Sequence, residues 1–340
     1  MKKVNVKQCY IELTSKCNLR CRHCYNDSGV KVNELSFERI KMLVDELERL
    51  DNQSIILSGG EPLLYPQIKE LLLLLSSKKI SVTLVTNSTL IEDGFVRFIT
   101  NNGINNLRIQ ISLEGGTRVT NDSIRGDGTF ERIMLISEKL QAAHIPFFYH
   151  ISLNKSSCKE IHDIFTVIKR FKHSFVAFSN LYPYGRLTEN MDLLPTSEEL
   201  YKAIKEIRFL ARENNIVVEM PDRLSGGDCP LMSDEDEMTM NPRIDSEGYI
   251  YFCQQFNMQE LALGNINYTE LGGIIESEQM VTLRELMKFR NRHLDDCKSC
   301  FARRICKGGC PAIVFSQNKL QGNDGYCDYR KRLCMDQMGL

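Results

Sequence analysis

The stretch QCYIELTSKCNLRCRHCYND, residues Gln8–Asp27, gives the strongest indication of the fold. It joins a strand-like apolar run to Cys17, Cys21 and Cys24, which have the spacing C-x3-C-x2-C. A structural zinc site usually closes with four ligands, often from paired C-x2-C elements. Three thiolates can instead hold an iron–sulfur cubane and leave one iron open. On spacing alone, these cysteines form either a reactive cluster site or a buried or zinc-binding group.

Apolar runs alternate with amphipathic stretches through the first two-thirds of the chain. The strand-like runs are Gln8–Leu13, Ser54–Ser58, Ser81–Thr86, Asn106–Leu113, Pro146–Leu153 and Ser174–Asn180, and the helical stretches are Ser36–Leu50, Pro66–Ser76, Glu92–Asn101, Thr129–Ala143, Ser157–Phe171 and Ser197–Asn214. Such alternation indicates βαβ units and a parallel sheet. The sequence therefore predicts an α/β fold, a partial (β/α)6 TIM-like barrel with its site at the carboxyl ends of the strands.

The cysteines and the change in composition predict the domain boundaries. Residues 1–190 read as the barrel, residues 191–220 as a bridging helical region, and residues 221–340 as a small cysteine-rich domain. The last region is rich in Gly, Asp and Cys and poor in long periodic segments, which is typical of a small domain stabilised by metal.

Bulk composition excludes several classes of protein. The 340 residues carry a net charge of -1, with 42% hydrophobic and 26% charged residues, so charge indicates no nucleic-acid partner. No signal peptide and no apolar stretch of the roughly 18–20 residues that a membrane helix needs is present. We expect a cytoplasmic protein, in which 13 cysteines indicate metal ligation rather than disulfides.

Polar residues follow the strand-like runs at the predicted barrel mouth. Gly59-Gly60-Glu61 follows the second run, and Asn87, Ser112 and Asn154 follow or end later runs. Glycines let a ligand approach the backbone closely. Each element alone is compatible with an ordinary turn, whereas together they predict a ring of small polar groups around one mouth.

At this point the chain resembles the radical S-adenosylmethionine (SAM) enzymes. Their signature is C-x3-C-x2-C after the first strand and G-G-E after the second, and this chain matches both. The resemblance implies that the three cysteines hold a [4Fe–4S] cluster whose open iron binds the methionine amino and carboxylate groups. It also implies that Gly59, Gly60, Glu61, Asn87, Ser112 and Asn154 contact SAM. His23 departs mildly from the aromatic residue that many members have before the third cysteine.

Two further segments extend the resemblance. NDSIRGDGTF, residues 121–130, is similar to a stretch in family members that modify peptides or proteins, which implies that Arg125 pairs with the SAM carboxylate. The alternative is a surface loop with a solvated arginine. The segment that begins at Tyr182 follows the sixth strand and is implied to lie near the adenine.

The C-terminal cysteines resemble the SPASM domain, which carries auxiliary [4Fe–4S] clusters. The resemblance implies an outer group and an inner group of cluster ligands, respectively Cys297, Cys300, Cys306 and Cys327, and Cys229, Cys253 and Cys310. Two cubanes held only by thiolates need about eight ligands, and the pattern supplies seven. Either the inner cluster has an open iron or another residue, with Cys334 as a candidate, completes it. A zinc ribbon is the alternative from C-x2-C alone.

The resemblance implies three [4Fe–4S] clusters and SAM as cofactors. In this family a reduced cluster cleaves SAM to a 5′-deoxyadenosyl radical, which abstracts hydrogen from the substrate. SPASM members mostly act on peptides or proteins, so we expect cross-linking, thioether formation or epimerisation of a peptide. We also expect an electron donor such as flavodoxin or ferredoxin, and leader recognition by a separate protein or by the barrel.

Other functions remain open at this stage. A sulfatase maturase is disfavoured because Gln254 stands where an Asp commonly acts as base, and because a second cysteine is missing after Cys229. A small-molecule radical dehydrogenase usually has one auxiliary cluster. A metal-stabilised electron carrier or interaction module would not need the Gly-Gly-Glu element.

Overall fold

The computed structural model describes residues 3–50, 52, 54–172, 175–221, 229–232, 237–275, 277–317 and 322–339. The chain divides into two compact units. The barrel unit comprises Ile11–Glu34 and Ser54–Pro221, and the cysteine-rich unit comprises Met1–Tyr10, Leu35–Gln53 and Asp222–Leu340. The three-part division expected from the sequence, with boundaries at about residues 190 and 220, remains a prediction.

The strands are numbered in chain order. They are β1 Lys3–Val6, β2 Gln8–Thr14, β3 Ser54–Gly59, β4 Ser81–Thr86, β5 Leu107–Leu113, β6 Phe147–Leu153, β7 Val176–Asn180, β8 Val218–Glu219, β9 Glu237–Met240, β10 Arg243–Ile244, β11 Tyr249–Tyr251 and β12 Gly264–Asn265. The six predicted strands correspond to β2–β7, with ends that differ by at most two residues.

The helices are numbered in the same way. They are α1 Phe37–Arg49, α2 Ile68–Ser77, α3 Asp93–Asn101, α4 Arg118–Arg125, α5 Thr129–Ala142, α6 Ile161–Ile168, α7 Ser197–Glu213, α8 Leu271–Ile275, α9 Glu278–Arg292, α10 Arg303–Cys306, α11 Pro311–Ser316 and α12 Cys327–Met338. The sequence did not predict α4, which is short and polar. With eight residues, it is shorter than the run of about 11 residues over which a helical period is read.

The barrel unit is built on a sheet in the order β2-β3-β4-β5-β6-β7-β8. Neighbouring strands from β3 to β8 are parallel. Within the described residues β2 and β8 do not pair with each other, so the barrel is open. The predicted α/β fold with a partial (β/α)6 barrel is confirmed.

Apolar strand residues form the core of the barrel unit. Leu57, Leu84, Ile109, Ile111 and Ile151 are all fully buried. Burial of one such side chain stabilises the fold by about 1.5–3 kcal/mol. Because the strands are fixed by this core, the loops at their carboxyl ends hold defined positions.

The predicted helix at 157–171 is divided in the structure. A short 3-10 turn covers Ser157–Lys159, and α6 begins at Ile161. The carboxamide oxygen of Asn154 accepts hydrogen bonds from the N–H groups of Ser156 and Ser157, both at 2.9 Å. This side-chain turn competes with a continuous helix.

The cysteine-rich unit contains short strands and most of the remaining helices. Strands β1 and β9 pair in parallel, while β10, β11 and β12 form an antiparallel ladder. Helix α1 is capped by Ser36, whose side chain accepts a hydrogen bond from the N–H of Arg39 at 3.3 Å. Such a cap contributes about 1 kcal/mol to stability.

Membrane-spanning helices were searched among the described residues. No helix there is both long enough and apolar enough to cross a bilayer.

Candidate active site

The loop that follows β2 brings Cys17, Cys21 and Cys24 together at the carboxyl end of that strand. All three thiols are half-buried. Burial raises the pKa of Cys17 to about 11, and the charges of Glu61, Cys21 and Cys24 add to this rise. The three thiols therefore lie within electrostatic range of one another. Among the described residues, no three His, Cys, Asp or Glu side chains converge closely enough for a single metal ion.

Gly59 and Gly60 allow the cysteine loop to pass close to the end of β3. A Cβ atom at Gly60 would lie 2.1 Å from the carbonyl oxygen of Lys16, and one at Gly59 would lie 2.3 Å from that of Thr14. Gly59 also has a φ of +134°, which favours glycine. The N–H of Gly60 donates to the Thr14 carbonyl at 2.7 Å. The two glycines therefore make room for the cysteine loop, and their predicted contact with SAM remains a prediction.

Glu61 is fully buried and joins the ends of β3 and β4. Its Oε1 accepts from the Thr86 hydroxyl at 2.7 Å, and its Oε2 accepts from the N–H of Asn87 at 2.9 Å. Burial raises its pKa to about 7, although these hydrogen bonds and one from the N–H of Leu63 oppose the rise. Both carboxylate oxygens therefore have protein partners, and the predicted contact with the SAM amino group remains a prediction.

Asn87 holds the cysteine loop from β4. Its Nδ2 donates to Oδ1 of Asn18 at 3.0 Å, and Asn18 lies directly after Cys17. Its own Oδ1 accepts from the N–H and the hydroxyl of Thr89 at 2.9 and 2.6 Å. Asn87 is consequently a positioning residue for the cysteine loop in this structure, and a direct SAM contact is untested.

Glu114 is a buried site residue that the sequence did not single out. It follows β5, two residues after the predicted Ser112, and is 1% exposed. Its Oε1 accepts from Nη2 of Arg125 at 2.9 Å and lies 3.2 Å from Nε2 of His23. Burial alone would raise the pKa of Glu114, but the charges and hydrogen bonds of His23 and Arg125 lower it to about 2.

Arg125 lies at the end of α4 and is 8% exposed, so it is not the solvated loop residue of the alternative interpretation. Besides Glu114, its Nη1 lies 3.9 Å from Sγ of Cys21. The structure therefore directs Arg125 to a carboxylate of the protein and to a cysteine of the loop. The predicted pairing with the SAM carboxylate remains a prediction.

Ser112 and Asn154 lie on neighbouring parts of the same mouth. Ser112 is half-buried on β5 and stands in register with His150 of β6. Asn154 is 1% exposed, and its Nδ2 donates to the Glu114 carbonyl at 2.8 Å. Since its carboxamide oxygen caps the following turn, Asn154 is engaged by the protein on both sides.

Arg186, which the sequence did not identify, clamps the cysteine loop from the segment after β7. Its N–H donates to the Cys24 carbonyl at 2.9 Å, and its Nε donates to the Cys21 carbonyl at 3.0 Å. A Cβ atom at Gly185 would lie 2.4 Å from the Cys24 carbonyl oxygen. Tyr182, predicted to lie near adenine, is half-buried in the same segment. In the sequence, the Gly185-Arg186 pair shortly after the sixth strand-like run was the signal that could have identified Arg186.

The barrel site fits an anionic cluster that has three thiolate ligands. Burial raises the pKa of Cys21, and the positive charges of Arg125 and Arg186 oppose this rise. Guanidinium groups beside thiolates offset the negative charge that thiolates bring to a cluster. His23 also has a buried Nδ1 for which no protein partner is found among the described residues.

The C-terminal cysteines separate into two interacting groups within the cysteine-rich unit. Burial raises the pKa of Cys253, and the charges of Cys310 and Cys229 add to this rise. Burial likewise raises the pKa of Cys327 to about 11, with contributions from Cys297 and Cys306. Cys300 acts on Cys297 in the same way. The thiols thus interact within the two groups in which the resemblance places them, and their role as cluster ligands remains a prediction.

Cys334 lies with the outer group. It is fully buried on α12, and after burial the charges that raise its pKa are those of Cys306 and Cys300. Its interactions therefore do not support the suggestion that it completes the inner group.

Comparisons with known proteins bear on the family of the chain. The sequence profile of the Radical SAM superfamily matches residues 11–165, and that of SPASM, an iron-sulfur cluster-binding domain, matches residues 238–301. An AdoMet-dependent heme synthase of Methanosarcina barkeri is 32% identical over 191 residues, which are 55% of this chain and 54% of that protein. Mycofactocin maturase MftC of Mycobacterium tuberculosis is 27% identical over 334 residues, 93% of this chain and 81% of MftC.

Among solved structures, native anSMEcpe with bound AdoMet and the Cp18Cys peptide has a TM-score of 0.77 and 20% identity. The match covers 98% of this chain and 97% of that one, and it bears on the fold. The two profile matches fall on the segments that contain the three-cysteine loop and part of the C-terminal cysteines. The chain therefore belongs to the radical SAM superfamily and carries a C-terminal SPASM iron–sulfur domain.

Proposed function

We propose that this protein is a radical SAM enzyme that abstracts hydrogen from a peptide or protein substrate during its maturation. The proposed cofactors are SAM and three [4Fe–4S] clusters, one at Cys17, Cys21 and Cys24 and two in the cysteine-rich unit. When bound and reduced, such a cluster supplies the electron that cleaves SAM. The observation that carries the proposal is the separation of the cysteines into a barrel group, an inner group and an outer group, in a chain of which 93% matches MftC.

The residues of the barrel unit have distinct roles in this proposal. Gly59, Gly60 and Arg186 fix the backbone of the cysteine loop that carries the three proposed ligands. Arg125 places a positive charge beside Cys21, and Glu114 holds that guanidinium through two hydrogen bonds to Oε1, at 3.2 Å from Nε and 2.9 Å from Nη2. A site held by rigid strands and buried polar contacts needs little rearrangement when its charge changes.

The SAM contacts proposed for the chain lie around the same mouth. Gly59, Gly60, Glu61 and Asn87 come from β3 and β4, and Ser112, Arg125, Asn154 and Tyr182 come from β5, α4 and the ends of β6 and β7. Asn180 is a further candidate, since it ends β7, is 8% exposed and has a buried Oδ1 for which no protein partner is found among the described residues.

The name of MftC describes a maturase, and anSMEcpe has been solved with a peptide bound. These proteins support a peptide substrate for this chain. A one-electron donor such as flavodoxin or ferredoxin and a leader-binding protein complete the proposed partners. The domain boundaries at about residues 190 and 220 belong to the same proposal.

A tetrapyrrole is the second candidate substrate. The observation that favours it is the 32% identity to an AdoMet-dependent heme synthase, although that match covers only 54% of the relative. A porphyrin and a peptide differ in shape and flexibility, so the products formed from each can separate the two candidates.

The test begins with anaerobic reconstitution of the full chain with iron and sulfide. We expect roughly 12 irons per chain and 5′-deoxyadenosine from SAM plus dithionite. The protein is then incubated with synthetic peptides encoded by the neighbouring reading frames, or with Fe-coproporphyrin III, and the products are weighed by mass spectrometry. Mass loss or cross-linking of a peptide supports the proposal, and conversion of the porphyrin alone supports the second candidate. Zinc without iron, or iron without SAM cleavage, would contradict both.

A further inference from the structure

The segment that carries three cysteines of the outer group has one buried side and one exposed side. Residues 295–307 run through consecutive turns, in which the N–H of Cys300 donates to the Cys297 carbonyl at 3.1 Å and that of Cys306 to the Ala302 carbonyl at 2.8 Å. Cys297, Ala302 and Cys306 are 6%, 2% and 9% exposed. Residues three or four apart share a side of such turns. The exposed side, here named the 298–305 face, consists of Lys298, Phe301, Arg304 and Ile305.

Two large apolar side chains of this face lie directly beside cysteines of the outer group. Phe301 follows Cys300 and is 55% exposed, and Ile305 precedes Cys306 and is 44% exposed. Because consecutive Cα atoms are about 3.8 Å apart, a protein that covers both side chains comes within roughly 10 Å of the outer group. Covering them would also remove apolar surface from water.

The same segment is basic in a chain that is close to neutral. Residues 297–307 contain four Lys and Arg and no Asp or Glu, whereas the whole chain has a net charge of -1. Lys298 forms an exposed 2.7 Å ion pair with Asp295, so its charge is partly compensated. For Arg304, which is exposed, no ion pair is found among the residues that the structure describes. The 298–305 face therefore offers a positive charge between two apolar side chains, which complements an acidic surface.

We propose that the 298–305 face docks a small acidic one-electron carrier protein, which reduces the cluster at the outer group. In that step the reduced carrier loses one electron and the cluster gains it, and no bond or proton changes. A second copy of this chain is disfavoured as the occupant, because it would place the same positive charges against each other. The inference rests on the proposed function, since it requires the outer auxiliary cluster and an electron donor.

The test measures docking and electron transfer separately, with an acidic bacterial flavodoxin as the probe. Calorimetry gives the Kd of oxidised flavodoxin for the reconstituted full chain. Stopped-flow absorbance gives the rate at which flavodoxin hydroquinone reduces the clusters under anaerobic conditions. For the kinetics, the full chain carries Cys17→Ala, Cys21→Ala and Cys24→Ala, so that only auxiliary clusters accept electrons.

The charge and the apolar contact should respond differently to salt. For Arg304→Glu, we expect the second-order rate at low salt to fall about tenfold, and the difference from the parent to shrink at about 0.5 M salt, where charges are screened. For the double variant Phe301→Ser and Ile305→Ser, we expect the Kd to rise about tenfold at both salt concentrations, because salt does not screen apolar contacts.

Two variants on α7 are matched controls. Lys202→Glu reverses the charge of an exposed lysine that forms a 3.2 Å ion pair with Glu198, and Phe209→Ser removes a phenylalanine that is 60% exposed. Neither should change the binding of flavodoxin or the rate of reduction. Reduction by dithionite needs no docking, so it should be the same in all variants and reports whether the clusters are intact.

Several outcomes would overturn the inference. It is wrong if Arg304→Glu and Lys202→Glu slow the reaction equally, or if the double serine variant binds flavodoxin as the parent does. It is also wrong if that variant dissociates a wild-type dimer, or weakens binding of the peptide substrate instead of flavodoxin. If a variant loses iron, the parent rate decides, because a rate that does not fall with salt refutes docking by charge.

The failure of this inference can be distinguished from the failure of the proposed function. If flavodoxin does not reduce auxiliary clusters that dithionite reduces, this inference is refuted and the proposed function stands. A full chain that binds no auxiliary iron refutes both.

Discussion

Glu114→Gln is the sharpest test of how the barrel site is held. The carboxylate is buried, and the charges and hydrogen bonds of His23 and Arg125 lower its pKa from 4.5 to about 2. A difference of roughly two and a half pKa units corresponds to about 3 kcal/mol of stability at neutral pH. Glutamine keeps the shape of the side chain but removes the charge and leaves the Arg125 guanidinium without its carboxylate. We therefore expect Glu114→Gln to destabilise the barrel unit by about 3 kcal/mol.

The sign of this effect gives a pH prediction. Because the folded pKa of Glu114 lies below its unfolded value, its contribution is complete above about pH 4.5 and is lost as the pH falls toward 2. The loss of unfolding free energy caused by Glu114→Gln should thus be larger at pH 5 than at pH 3.

Urea unfolding of the reconstituted protein, followed by circular dichroism, measures the effect. With a slope of about 3 kcal/mol/M, a loss of about 3 kcal/mol lowers the midpoint by about 1 M. Glu131→Gln is the matched control, since Glu131 forms an exposed 3.1 Å ion pair with Arg118 and should change stability by less than about 1 kcal/mol. If the two variants have equal midpoints, the buried network of Glu114 does not stabilise the site.

Three further predictions concern the cysteine sites. Gly60→Ala should displace the cysteine loop and remove most of the iron of the first cluster. Gly94→Ala is the control, because a Cβ atom at Gly94 would meet no other atom within 4 Å. Iron analysis and SAM cleavage measure the effect of both substitutions. Cys310→Ala should remove about four irons per chain. Cys334→Ala should leave the signal of the inner cluster unchanged, and loss of that signal would assign Cys334 to the inner group. Burial raises the folded pKa of Glu61 to about 7, so the free energy of unfolding should decrease as the pH rises from about 4.5 to 7. Urea midpoints measured across this range should change less with pH in Glu61→Gln than in the wild-type protein.

Much of the fold follows from local sequence patterns. Six apolar runs and the intervening amphipathic stretches are local signals, and all six strands lie within two residues of their predicted ends. Helix α4 was missed because Arg118–Arg125 is short and polar, and its stability comes from the Thr117 cap and from side chains such as Asn121 and Arg125 that are buried by tertiary contacts. The break before α6 depends on one side-chain turn at Asn154, which competes with the helix.

The residues of the candidate site likewise divide into those that the sequence identifies and those that only the structure identifies. Cys17, Cys21 and Cys24 and the Gly-Gly-Glu element are spaced along short segments, so the sequence could identify them. Glu114 was overlooked because its importance comes from His23 and Arg125, which are distant in the chain. The parallel sheet brings the three side chains to one mouth.

The sequence by itself determined the α/β pattern, the spacing of each cysteine motif and the family that this spacing resembles, because these features depend on neighbouring residues. Only the tertiary structure decided that the paired glycines make room for the cysteine loop, that Arg186 clamps this loop, and that Cys334 lies with the outer group. Such contacts join residues that are far apart along the chain, and their distances depend on how strands, turns and helices pack.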